Sequence, residues 1–144
     1  MKHGLLSAVV AIAFLAGASA QDKPNFAGKW KAAGSFNSWA ITVEGSKMTV
    51  TMTVAGNSDS TVYMLDGTPS PKALEGPNGP FENVYTSTWE DNVLVTTIKT
   101  GGPNSLIEKR WMEPDGTMRV QTTLIIPGKP SPPSGPGLVL KKVG

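Results

Sequence analysis

Lys47-Met48-Thr49-Val50-Thr51-Met52-Thr53-Val54 alternates between apolar and polar side chains without a break. Successive side chains of an extended chain point to opposite faces. Met48, Val50, Met52 and Val54 therefore share one face, and Lys47, Thr49, Thr51 and Thr53 the other. This is the pattern of a strand with one side in a core. Thr117 to Ile126 repeats it, with Met118, Val120, Thr122, Leu124 and Ile126 opposite Arg119, Gln121 and Thr123. Phe36 to Val43 aligns Trp39, Ile41 and Val43. Weaker alternation marks 60–65, 83–89, 93–100 and 105–112, and the chain closes on Leu138 to Val143. No stretch carries a convincing helical period.

Turn chemistry falls between these runs at meander spacing: Glu44-Gly45, Gly56-Asn57, Asp66-Gly67, Asp91-Asn92, Gly101-Gly102-Pro103-Asn104 and Pro114-Asp115-Gly116. Asp-Gly supplies the positive φ angles that tight hairpins need. The expected fold is all-β, a small antiparallel up-and-down barrel or flattened barrel of eight or nine strands. The strongest hairpins are expected between 36–43 and 47–54, 83–90 and 93–100, and 105–112 and 117–126. Gly67 to Pro80 and Pro127 to Gly137 hold nine of the twelve prolines. Proline lacks the N–H that a central strand donates, so both segments are expected as loops, either functional or merely tolerated.

The N-terminus reads as a leader. Lys2 and His3 precede an apolar run from Leu5 to Leu15 interrupted by Ser7, and Ala18-Ser19-Ala20 offers the small residues a signal peptidase accepts. Residues 1–20 are expected to be removed after Ala20, leaving 21–144 as one domain, periplasmic or secreted. The apolar run is shorter than the roughly 20 residues a membrane span needs, so no membrane anchor is expected. Removing Lys2 from the thirteen basic residues leaves twelve against eleven acidic ones. Such a balance has no concentrated basic face for nucleic acid. There is no cysteine, and the single histidine is His3, inside the leader. The remaining chain therefore has no Ser-His-Asp triad, no thiolate nucleophile and no His/Cys zinc site. No catalytic residue, metal or cofactor is expected.

Asn25-Phe26-Ala27-Gly28-Lys29-Trp30 resembles the Asn-Phe-x-Gly-x-Trp entry of the calycins, the superfamily of lipocalin and fatty-acid-binding barrels. The likeness continues through Tyr63-x-Leu65-Asp66-Gly67, Thr88-Trp89, Val93-Leu94-Val95, Arg110-Trp111, Asp115-Gly116-Thr117 and Leu138-Val139-Leu140-Lys141-Lys142-Val143. Over most of 25–144 the chain looks like exported bacterial lipocalin-like proteins. The resemblance implies that Gly28 turns the chain into the first strand and that Trp30 closes the barrel floor. Lipocalins set a late Arg against that Trp. This chain offers Lys141 or Lys142 instead, and Lys141 is taken for the floor. Lipocalins also carry a helix after the barrel, whereas this chain ends on a strand.

Inward aromatics in a barrel either line a ligand cavity or fill a core. The candidate ligand-binding set is Trp39, Met48, Met52, Tyr63, Tyr85, Trp89, Arg110 and Trp111. Thioethers suit Cu(I), but Met48 and Met52 lie four residues apart, about 13 Å along a strand, and cannot chelate one ion. Met as core filler is the expectation. Glu108 and Arg110 share a face with Leu106 and Met112, and Ile107 shares the other with Trp111. The Ile107/Trp111 face is the more apolar and is expected inside. If Arg110 points inward instead, it is placed to clamp a carboxylate. Glu90-Asp91 and Glu113 with Asp115 fall in turns, where solvated carboxylates are ordinary. Two functions follow: a carrier for a small apolar or amphipathic ligand, or an envelope interaction module with a filled core.

Overall fold

A computed structural model describes residues 23–132 and 135–144. The proposed leader and its cleavage site lie outside them. Among the described residues there are ten strands and no helix: β1 (Gly28–Ala32), β2 (Ser38–Glu44), β3 (Lys47–Val54), β4 (Asn57–Met64), β5 (Ser70–Gly76), β6 (Gly79–Glu90), β7 (Val93–Lys99), β8 (Ser105–Met112), β9 (Met118–Ile125) and β10 (Leu138–Lys142). Consecutive strands pair antiparallel, except that β4 and β5 do not, while β1 pairs with β10. The result is one antiparallel sheet curled into a nearly closed barrel, with a seam between β4 and β5.

Side chains bridge that seam where the backbone does not. Lys72 of β5 reaches β4, with its Nζ 2.5 Å from Asp59 and 2.8 Å from Thr61 Oγ1. Tyr63 of β4 meets Tyr85 of β6 edge to face, ring centres 5.5 Å apart.

The strand absent from the sequence expectation is β5. Gly67 to Pro80 is mostly a hairpin rather than a loop, with Pro71 opposite Val84 and Glu75 opposite Pro80. The prolines are tolerated because both sit where a ladder is open. Pro71 is on the seam edge, and Pro80 lies beyond the reach of β7, whose pairing with β6 ends at Val84. Pro127 to Gly137 has no strand among its described residues and returns along the outer wall. Arg119 Nη1 donates to Pro136 O at 2.6 Å, and Gln121 Nε2 donates to Gly135 O. Gly137 then enters β10 with φ +79°, and an added Cβ would lie 2.7 Å from Val120 O. A larger residue there would lift the segment off the sheet.

In an up-and-down meander the turns alternate between the two ends. At one end the interior is filled by Trp30, Met48, Leu94, Met118 and Leu140, each buried. Phe26 plugs this floor from the segment before β1. Its carbonyl accepts from Trp30 Nε1 at 3.0 Å, and its ring stacks on Trp89 at 6.0 Å. Lys142 places its Nζ 5.6 Å from the centre of the Trp30 ring. Trp30 pairs with Lys142 in the ladder, whereas Lys141 pairs with Lys31 on the other face. The floor cation is therefore Lys142, not Lys141, because strand parity turns Lys141 outward. Gly28 belongs to the same arrangement, since a Cβ there would meet Lys142 Cε at 2.7 Å.

Candidate functional site

The filled floor gives way to an unfilled upper half. Inward-facing Met52, Val54, Phe81, Leu124 and Leu138 near the opposite end are 36% to 43% exposed. Nothing among the described residues covers these apolar side chains, and uncovered apolar surface of this kind marks a ligand groove or an interaction surface. Between this rim and the floor lies a cavity of about 300 Å³. Trp39, Val50, Met52, Val120, Leu138 and Leu140 supply its apolar wall.

Its polar wall comes from opposite sides of the barrel. β8 contributes Glu108 and Arg110, and β4 contributes Asp59, Thr61 and Tyr63. Arg110 is 3% exposed, and its Nη2 donates to Glu108 Oε1 at 3.1 Å. Tyr63 donates its phenolic hydrogen to Glu108 Oε2 at 3.3 Å. Arg110 Nη1 approaches Met118 Sδ at 3.2 Å, and its Nε is buried with no hydrogen-bond partner. The guanidinium also lies 6.0 Å from the Phe26 ring centre and 5.6 Å from that of Tyr63. These rings face its cationic plane with their negative faces. Burial, with the charge of Glu108 next in weight, drives the Tyr63 hydroxyl far above its ordinary value, so it is a fixed proton donor.

The expected site residues separate into groups. Trp39, Met52, Tyr63 and Arg110 line the cavity together. Met48 is completely buried in the floor core, Tyr85 backs Tyr63 at the seam, and Trp89 lies under Phe26. Trp111 is misplaced by the sequence reading. It faces outward beside Lys109 and Gln121, with its Nε1 donating to Glu113. Register dictates this: Arg110 pairs with fully buried Leu94 on one side and with Val120 on the other, so Trp111 pairs with Arg119 outside. The apolar outer face of β8 is tolerated because the proline-rich segment reaches it, with Ser131 and Pro132 beside Ile107 and Ile125.

Sequence reasoning missed Glu108 and Asp59 as site members. A signal existed for the first. Glu108 and Arg110, two apart on one strand face, form a pair that neutralises itself and so can turn inward together.

No protein-family model and no curated protein matches this chain. Among solved structures, one described as a mutant of the REP1-NXSQ fatty acid transporter matches with a TM-score of 0.53 and 11% identity. The match covers 81% of this chain and 97% of that one. At this identity the likeness is one of fold alone, that of an antiparallel β-barrel.

Proposed function

We propose that the barrel is a non-catalytic carrier or sequestering protein for a small apolar or amphipathic molecule held in its interior. The observation that carries this is the half-filled barrel: a solid floor, then about 300 Å³ of apolar-walled space with one polar cluster at Arg110, Glu108 and Tyr63. That volume is at the lower end of small-molecule pockets, which run from about 300 to 1,000 Å³. A few convergent polar groups in an apolar cleft orient an amphipathic ligand, and each buried methylene contributes about 0.8 kcal/mol. The fatty acid named for the structural neighbour suggests an aliphatic chain as the apolar part of such a ligand.

The calycin resemblance and the reading as a bacterial periplasmic or secreted protein, cleaved after Ala20, belong to the same proposal. A ligand-sequestering barrel outside the cytoplasm needs neither catalysis nor cofactor, in keeping with a chain whose single histidine is His3. The rival, an envelope interaction module, requires a filled interior, and the unfilled upper half weighs against it. The test is titration of delipidated protein with N-phenylnaphthylamine, a neutral apolar fluorophore. The carrier binds it one to one and saturably, with a change in Trp39 emission. Absence of saturable binding by this probe and by a panel of fatty acids, alcohols and sterols would remove the carrier reading.

A further inference from the structure

The charges in the cavity wall are already matched to one another. Asp59, Glu108 and Arg110 are the ionisable acids and base that line it beside Tyr63. Arg110 is held by Glu108 at 3.1 Å, and Asp59 by Lys72 at 2.5 Å from across the seam. Both Glu108 oxygens are engaged, one by Arg110 and one by Tyr63. The wall therefore presents two ion pairs and no spare positive charge among the described residues.

On this balance, and resting on the carrier reading, we propose that the cavity selects an amphipathic ligand with an uncharged head group, a hydroxyl or an amide, over one with a carboxylate. A carboxylate approaching Arg110 meets Glu108 already in place. Two carboxylates sharing one buried site repel, and the second cannot be ionised there without a large penalty. The guanidinium nevertheless has room for a neutral acceptor, since its Nε is buried with no hydrogen-bond partner. Its Nη1 is met by the sulfur of Met118, a weak acceptor. A hydroxyl or amide oxygen accepts more strongly than a thioether and brings no charge. The donor of such a head group finds acceptors in Glu108 and in the hydroxyls of Thr61 and Thr122, which line the same cavity. The alkyl part then lies against Trp39, Val50 and Val120 toward the open rim.

The experiment is competitive displacement of N-phenylnaphthylamine from the wild-type protein near neutral pH by dodecanol, dodecanamide and dodecanoic acid, which share one chain and differ in head group. The expected ranking puts the alcohol and the amide at least about tenfold tighter than the acid, or about 1.4 kcal/mol. Glu108→Gln removes the resident carboxylate while keeping its shape, and is expected to narrow or reverse the ranking. Dodecanoic acid binding as tightly as or tighter than both neutral ligands to the wild type would overturn the inference and leave the carrier reading standing. Displacement by none of the three, with no probe binding, would remove the carrier reading itself. Should Glu108→Gln fail to fold, the wild-type ranking alone decides.

Discussion

Tyr63 and Glu108, 45 residues apart in the chain, meet inside the barrel, the phenol of the fourth strand donating to the carboxylate of the eighth at 3.3 Å. This contact ties the seam side of the sheet to the opposite wall and completes the cluster that holds Arg110. A buried cation, a carboxylate and a phenol in mutual contact replace the water that each has lost. The polar wall of the cavity and part of the barrel's stability thus rest on the same three side chains.

The first expectation concerns alkaline pH. Burial, with the Glu108 charge behind it, raises the Tyr63 hydroxyl in the folded protein above the ordinary value of 10.0. The folded state keeps a proton that the unfolded state releases, so the contribution to stability is full below pH 10 and shrinks as pH climbs beyond it. Tyr63→Phe removes this loss. Denaturant titrations from neutral to strongly alkaline pH should show the wild type losing stability more steeply than the variant above that point. Equal slopes would mean that Tyr63 ionises freely.

Glu108→Leu leaves Arg110 buried without its counter-charge, and removing one partner of a buried pair costs about 3 to 5 kcal/mol. The double variant Glu108→Leu/Arg110→Met removes both charges and is expected to recover most of that loss. Chemical denaturation of the two single variants and the double measures the coupling directly.

Trp30 and Trp111 separate the inside from the outside. Trp30 is 1% exposed with its indole N–H bonded to Phe26 O, so Trp30→Ala is expected to cost about 3 to 5 kcal/mol. Trp111 stands on the outer wall, and Trp111→Ala should cost less than half as much. Unfolding midpoints of the two variants check the assignment of faces.

The wall that bears the site was only partly legible in the sequence. Alternation in 47–54 and 117–126 assigned Met52 and Val120 to the inner face, because those strands separate apolar from polar cleanly. On β8 both faces mix the two. Ile107 and Trp111 look more internal than Glu108 and Arg110 when neither the salt bridge nor the covering by Pro132 is known. Lys141 and Lys142 differ by a single position, and only pairing with Trp30 decides which one turns under the floor. β5 is hidden by Pro71 and by the flanking Pro69 and Pro77, since nothing local reveals that a strand will lie on a seam.

That seam gives a kinetic expectation. Lys72 joins β5 to Asp59 and Thr61, but Asp59 is 66% exposed, so the pair contributes less than about 1 kcal/mol to stability. Lys72→Met should leave the unfolding midpoint nearly unchanged while speeding probe release, and added salt should speed release from the wild type and not from the variant. Stopped-flow dissociation of N-phenylnaphthylamine measures both.

The claim that the upper half of the barrel is a ligand chamber is tested most directly by closing it. Met52 lines the cavity and is 36% exposed toward the rim, so Met52→Trp fills the opening with little strain on the core. Calorimetric titration of the folded variant and the wild type with dodecanol is the measurement. One site is expected in the wild type, with affinity at least about tenfold weaker, or about 1.4 kcal/mol, in Met52→Trp at an unchanged unfolding midpoint. Equal affinity in the two proteins would place the ligand outside the barrel and leave the upper half without a role as its chamber.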